Sequence, residues 1–354
     1  SSHLGSSCCQ LPALHTSGTP PLAMAPMLLG LALLLIEQGA SIFLFGGARG
    51  DMEPMRGNVV TNSYAWPSGR GRIGNYTASE NEAPPDLPGS LAWNWTDPRG
   101  RYRNSPVGAN IDDQENIYLT SLDGIRKFTA DGELLWTYAP EREPGEELPD
   151  TASLYDGALY CSTTRGKIFA LSMETGQRLW SQTLPSTDGN NGWVSVYDGI
   201  VVTGSDSREW RRGQKLKGKA ADQFVTGLNA SDGTVVWTFA PEAPVWNFMG
   251  SFAGDGTLVF QDYEGRAYRL RASDGVLLWK NGGLVDTWTD GSALLGPNGV
   301  VYTVNTRHMD MAGPDAPGDV CAYRLEDGKL LWNATVPRPP NNMPAIGRLA
   351  GREG

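Results

Sequence analysis

Histidine is nearly missing from this chain. Its 354 residues hold three, and His3 and His15 fall in the N-terminal tail. A His-rich metal site or a His-based catalytic triad would have to rest on His308 alone. Cysteine is scarce too: there are four, with Cys8 and Cys9 adjacent in the tail and Cys161 and Cys321 far apart. That excludes a disulfide scaffold and a zinc ribbon. Charged residues make up only 19% of the chain, and the 29 basic residues are outnumbered by 39 acidic ones, for a net charge of −10. A general nucleic-acid binder needs basic surface for phosphates, so that class is excluded. No segment carries the period of a long amphipathic helix.

What is abundant is glycine, with 44 residues, and proline, with 24, which implies many turns. Residues 1–21 are rich in Ser, Pro and small side chains and are expected to be a disordered tail. The first residue is Ser, so a fragment or a processed product is expected. Residues 22–48 hold an apolar run from Leu28 to Ile36, a break at Glu37 and Gln38, and a second patch from Ile42 to Phe45. The run is too short to span a bilayer and fits the core of a signal peptide, with Gly39-Ala40-Ser41 and Gly46-Gly47-Ala48 as small residues for cleavage. No Lys or Arg precedes Arg49, so the usual basic leader is missing. An anchor using residues 22–45 is the competing reading. Residues 49–87, rich in Gly, Asn, Pro and Ser, read as a linker. Sequons at Asn75, Asn94, Asn229 and Asn333 support a secretory route, with an extracellular or a membrane-anchored, lumenal end point.

From Gly89 onward the sequence repeats. Six times a Gly is followed four positions later by a Trp: Gly89/Trp93, Gly132/Trp136, Gly176/Trp180, Gly233/Trp237, Gly275/Trp279 and Gly328/Trp332. The Trp spacings are 43, 44, 57, 42 and 53. Residues 157–180 and 256–279 align without a gap, sharing Leu159/Leu258, Gly166/Gly265, Leu171/Leu270 and Leu179/Leu278. Asp-Gly or Thr-Gly between alternating apolar runs is a hairpin signal, because Gly accepts a positive φ. The predicted strands of one repeat are Ala158–Ser162, Lys167–Leu171 and Arg178–Gln182. An innermost strand precedes them, as at Trp193–Tyr197 or Ala293–Leu295. Four short strands in about 42 residues make one blade of a β-propeller.

The pattern Leu-Tyr-x-x-Thr…Gly-x-Ile-x-Ala-Leu…Thr-Gly-x-x-x-Trp resembles the PQQ-type (pyrroloquinoline quinone-like) repeat. That family includes quinoprotein alcohol dehydrogenases, a bacterial outer-membrane assembly lipoprotein and lumenal stress-sensor domains. The resemblance covers residues 88–340 and implies an all-β propeller over 88–354. About six repeats are present, as in a seven- or eight-bladed propeller cut short at its C-terminus. It also implies that the repeat tryptophans, Trp93, Trp136, Trp180, Trp237, Trp279 and Trp332, pack between blades.

Candidate ligand residues fall in the stretches leading into the innermost strands: Asn190, Asn191 and Trp193; Trp246 and Asn247; Asp286, Trp288 and Asp290. Trp beside Asn and Asp at the mouth of a propeller suits stacking with hydrogen bonds at the rim. Two insertions explain the long spacings. One carries Arg208, Arg211, Arg212, Lys215, Lys217 and Lys219, a positive loop for an anionic partner. The other carries His308 and Asp310 and reads as an irregular loop. The resemblance to quinoprotein dehydrogenases would require PQQ held by a Trp and, in many relatives, by an adjacent-Cys disulfide. It would also require a calcium held by Glu, Asn and Asp, and an Asp base. Cys8 and Cys9 lie far from any blade and no acidic cluster matches, so no residue is carried over. The expectation is therefore a non-catalytic scaffold without cofactor or metal, binding protein or glycan through one face. The alternatives are a PQQ- and calcium-dependent oxidoreductase and a lumenal sensor domain of a membrane protein.

Overall fold

Turn chemistry sets the architecture. Asp156-Gly157 and Asp198-Gly199 have φ of 46° and 73°, and of 49° and 75°. Two successive positive φ values make the tight hairpin turn whose twist matches antiparallel strands. At the far end of each repeat the Gly of the Gly-x-x-x-Trp pattern closes a second turn, as in Gly176 N–H to Ser172 O at 2.8 Å and Gly275 N–H to Arg271 O at 2.9 Å.

In the computed structural model the described residues are 35–37, 40–42, 64–71, 91–99, 106–185, 193–205, 223–283, 287–289, 291–296, 298–307, 316–340 and 343–346. Leu35–Glu37 (β1) pairs antiparallel with Ala40–Ile42 (β2) inside the apolar N-terminal stretch. No described helix is long and apolar enough to cross a membrane.

The remaining strands form five sheets. Blade 1 is Pro106–Ile111 (β3), Ile117–Ser121 (β4), Gly124–Phe128 (β5) and Leu134–Tyr138 (β6). Blade 2 is Ser153–Tyr155 (β7), Ala158–Ser162 (β8), Lys167–Ser172 (β9) and Arg178–Thr183 (β10). Blade 3 is Ser195–Tyr197 (β11), Ile200–Ser205 (β12), Phe224–Asn229 (β13) and Val235–Phe239 (β14). Blade 4 is Ser251–Phe252 (β15), Thr257–Gln261 (β16), Arg266–Arg271 (β17) and Leu277–Gly282 (β18). Blade 5 splits its inner strand into Thr287–Trp288 (β19) and Leu294–Leu295 (β20), followed by Val300–Arg307 (β21), Gly318–Arg324 (β22) and Leu330–Val336 (β23). Every blade is an antiparallel meander, and the fold is an all-β propeller.

The core lies between blades. Tyr160, Ile168 and Trp180 of blade 2 meet Val194, Val201 and Leu228 of blade 3. Val202, Val225 and Trp237 of blade 3 meet Phe252, Phe260 and Tyr268 of blade 4. Each repeat tryptophan through Trp279 donates its indole N–H to a backbone carbonyl of the next repeat: Trp93 to Ala130 O, Trp136 to Met173 O, Trp180 to Ala230 O, Trp237 to Ala272 O and Trp279 to Leu325 O, at 2.7–3.2 Å. The ring then lies on the next repeat's Gly. A Cβ added at Gly233 would come within 2.4 Å of Trp180, and one at Gly275 within 2.7 Å of Trp237. These glycines serve two ends at once, a φ of 71–75° and the close approach of an indole. Trp332 packs instead with Val304, Val320 and Val336 on the outer side of blade 5.

Two findings differ from the sequence expectation. Among the described residues the first repeat is represented by its Trp-bearing segment, residues 91–99, so five sheets are described for six motifs. That segment is fixed to blade 1 by Trp93 against Phe128 (5.7 Å between rings) and by buried Arg126, which bridges Asp97 at 3.2 Å and Asp123 at 3.0 Å. Hydrogen bonds from Arg99 hold the Asp97 carboxyl well below the usual carboxylate range. The second lies within residues 49–87, read from sequence as a linker. Tyr64–Gly71 pairs with inner strands, because these have backbone groups left over on the side away from the second strand. Trp66 exchanges two 3.0 Å hydrogen bonds with Ile111, and Pro67 O accepts from Leu154 N–H at 2.7 Å.

Candidate binding face

The meander places the turns between first and second and between third and fourth strands at one end of every blade. At the other end lie the links from second to third strand and the stretches entering each inner strand. Both long insertions leave from this second end, between Ser205 and Phe224 and between Arg307 and Gly318. Trp193, Trp246, Asn247 and Trp288 are at that end as well. Asn190, Asn191, Asp286, Asp290, His308 and the basic residues Arg208, Arg211, Arg212, Lys215, Lys217 and Lys219 lie outside the described residues, as does Asn75.

Trp246 and Trp288 are brought together by a residue that sequence reading passed over. Tyr263 sits between them, with ring centroids 6.3 Å from Trp246 and 6.3 Å from Trp288. All three side chains are half-buried. The backbone fixes the row: Tyr263 N–H donates to Pro244 O at 2.6 Å, Thr289 N–H to Tyr263 O at 2.9 Å, and the Thr287 hydroxyl to Glu264 O at 2.7 Å. The link between β16 and β17 is thereby tied to the entry stretches of blades 4 and 5. The signal that could have found Tyr263 is its place in Asp-Tyr-Glu-Gly, directly beneath the two entry stretches. Asn247 is exposed and adopts a φ of 45°, a conformation Asn tolerates. Trp288 Nε1 is buried without a hydrogen-bond partner.

Beneath the row, Asp262 is fully buried and organises the turn. It accepts from Tyr268 OH at 2.7 Å, from Glu264 and Arg266 N–H at 3.0 Å, from Arg266 Nη1 at 3.0 Å and from Ala243 N–H at 3.3 Å. Burial raises the Asp262 carboxyl, and these donors counter the rise. Burial and the facing Asp262 carboxylate push the Tyr268 hydroxyl up. Glu242, Glu264, Arg266 and Lys280 form ion pairs at the rim.

Trp193 stands apart from this row. Its N–H donates to Phe248 O at 2.7 Å, and Gly69 of the Tyr64–Gly71 segment covers its ring, so that a Cβ at Gly69 would lie 2.0 Å from Cζ3. The Trp193 side chain hydrogen-bonds Asp150, whose carboxyl is pushed up to about 7 by burial, that bond acting in the opposite direction. Asp150 Oδ2 is out of solvent contact and has no hydrogen-bond partner.

A PQQ and calcium site would require carboxylate and amide oxygens that converge. Among the described residues no group of three or more His, Cys, Asp and Glu side chains could hold a metal ion. Three interior carboxylates are already hydrogen-bonded by nearby groups: Asp112 by Gln114, Asn116 and Tyr118, Glu146 by Thr163 and Glu143, and Asp319 by Arg307 and Thr335. Cys161 and Cys321 are buried free thiols in different interblade cores, and burial pushes both thiols up. The described residues therefore do not fit PQQ with calcium. Of the sequons, Asn94 and Asn333 are exposed, whereas the Asn229 amide oxygen accepts from Ser231 N–H at 2.9 Å within its turn.

The repeat chemistry finds its counterpart among known proteins. The PQQ_2 family model, described as outer membrane protein assembly factor BamB, matches residues 88–207 and 219–353. The chain belongs to this family of PQQ-type repeat propellers. Its curated relatives include the dehydrogenase subunit of a quinone alcohol dehydrogenase from Komagataeibacter europaeus, 25% identical over 224 residues. That match covers 58% of this chain and 29% of the relative. The quinohemoprotein alcohol dehydrogenase ADH IIB of Pseudomonas putida is 25% identical over 246 residues, 63% of this chain and 32% of the relative. The chain thus spans under a third of the length of these enzymes. Among solved structures, BamB from Moraxella catarrhalis aligns with a TM-score of 0.46 and 17% identity, covering 64% of this chain and 63% of that one. A europium-containing methanol dehydrogenase aligns with a TM-score of 0.49 and 13% identity, covering 66% and 62%.

Proposed function

We propose that this PQQ-type propeller is a non-catalytic binding scaffold on the extracytoplasmic side, engaging a protein or a glycan through the face that carries Trp246, Tyr263 and Trp288. The observation that carries the reading is the row itself. Three half-buried aromatic rings are gathered by backbone hydrogen bonds, Tyr263 next to each tryptophan, and rimmed by paired charges, an arrangement suited to stacking on a sugar ring or an apolar side chain. The basic insertion between Ser205 and Phe224 leaves from the same end and adds a preference for anionic groups. The outer-membrane description of the matching family supports the extracytoplasmic setting, as do the exposed sequons Asn94 and Asn333.

The test is a screen of glycan and peptide arrays with the full chain, followed by titration of the best ligand. Trp246→Ala and Trp288→Ala are each expected to weaken it by about 30-fold, the effect of losing a central aromatic anchor. Unchanged affinity in both variants would sink the reading.

The second reading is a PQQ- and calcium-dependent oxidoreductase acting on an alcohol. It is favoured by one finding, that curated relatives of this chain are quinone alcohol dehydrogenases. Among the described residues no three or more His, Cys, Asp and Glu side chains group to hold a metal, so it would depend on residues such as Asp286 and Asp290.

A further inference from the structure

The inner strands of a propeller have one edge paired within the blade and one edge facing the central channel. In blades 1 and 2 that channel edge is occupied. Ile111 N–H and O both bond to Trp66, and Leu154 N–H bonds to Pro67 O. The Tyr64 hydroxyl meets Gly157 N–H at 2.9 Å at one end of the channel, and Gly69 lies on the Trp193 ring at the other. Tyr64–Gly71 therefore runs the length of the channel along three blades. It is closed by its own turn, with Ser68 and Gly71 exchanging two backbone hydrogen bonds of 3.0 Å and the Ser68 hydroxyl donating to Gly71 O at 2.9 Å. The Trp66 ring folds over Gly71, and Pro67 and Gly71 are buried.

We propose that this channel edge is a peptide-binding site for an extended segment of the form aromatic-Pro followed by a Ser-Gly turn, and that Tyr64–Gly71 is its ligand in cis. Recognition has the two parts of strand addition to a sheet edge. Backbone pairing to Ile111 and Leu154 fixes the register. Side-chain selection comes from two places: the core of Tyr118, Leu154 and Phe169 that receives Tyr64, and the Trp193 plate, which admits only a residue without Cβ. In sequence, residues 72–90 separate the segment from Leu91, and the same site accepts an equivalent segment from another protein once its own is released. That partner would be a protein, and the site stands independently of the Trp246–Tyr263–Trp288 row.

The test uses the full chain with the changes confined to the segment. In Gly69→Ala the new methyl would overlap the Trp193 ring, and in Trp66→Ala the turn loses its ring. A labelled peptide of residues 62–73 is then titrated into the wild type and both variants by fluorescence anisotropy. Hydrogen exchange at the Ile111 and Leu154 amides is followed in parallel. Saturable binding to the variants is expected, at least about tenfold tighter than to the wild type, whose site is already filled, with about tenfold faster exchange at the two amides. The same peptide carrying Trp66→Ala is expected not to bind. Unchanged exchange in the variants, or released amides with no peptide binding, would overturn the proposal.

Discussion

Replacement of Trp237 by alanine is expected to destabilise the propeller by about 3–5 kcal/mol, in the range seen for large aromatic deletions from a core. The ring is 7% exposed and sits between two glycines, one on its neighbouring strand and one on the next blade. A Cβ at Gly227 would come within 2.2 Å of it and one at Gly275 within 2.7 Å, so neither side can supply atoms to fill the space it leaves. The change also strips Ala272 O of its 2.7 Å indole donor. Trp237→Phe keeps most of the ring and loses the N–H, so its cost should fall to about 1–2 kcal/mol, the net value of one buried hydrogen bond with some lost packing. Urea unfolding of the three proteins measures both numbers. Equal costs for Ala and Phe would mean that the carbonyl contact, and not the packing between blades, holds the ring in place.

The second large effect concerns Asp150. Its carboxyl is pushed up to about 7 by burial, above the range of a carboxylate in an unfolded chain. The folded protein therefore binds more protons than the unfolded one between about pH 4 and pH 7, and its stability falls as the pH rises through that window. The loss attributable to this group reaches up to about 4 kcal/mol above pH 7 and vanishes below pH 4. Asp150→Asn keeps an acceptor for the Trp193 side chain and removes the titration. The difference in unfolding free energy between wild type and variant should therefore change steadily from pH 4 to pH 7.5, moving in favour of the variant. Parallel curves for the two proteins across that range would show that Asp150 does not take up a proton on folding. Asp262 is also raised by burial, but it is common to both proteins and cancels in the difference.

The repeat was legible in the sequence because its two defining residues are chemically irreplaceable. Gly at the turn must accept a positive φ and an indole against its Cα, and Trp must reach a carbonyl in the next blade, so both recur at a fixed spacing. Local strands followed from the same logic, and the observed β8, Ala158–Ser162, has the predicted bounds. The predicted Lys167–Leu171 and Arg178–Gln182 each extend by one residue. What the sequence hid is non-local. Trp66-Pro67-Ser68-Gly69 has linker composition, and its partners Ile111, Leu154 and Trp193 share no period with it. Tyr263 carries no local signal of its role, because that role is set by the approach of two entry stretches 17 residues before it and 25 after. Asp150 follows Leu-Pro in a charged stretch that carries no burial signal, whereas the fold buries its carboxyl against Trp193. Trp193 itself was legible as a residue at the channel mouth, but the segment that covers it was not.

The central claim is that this propeller binds rather than oxidises. Its most direct test is a titration of the full chain with PQQ in the presence of calcium, following tryptophan fluorescence, with dye-linked alcohol oxidation measured on the same samples. The account predicts no saturable quenching at micromolar PQQ and no alcohol-dependent dye reduction. One-to-one quenching that requires calcium, together with turnover, would contradict it and make this chain a quinoprotein dehydrogenase.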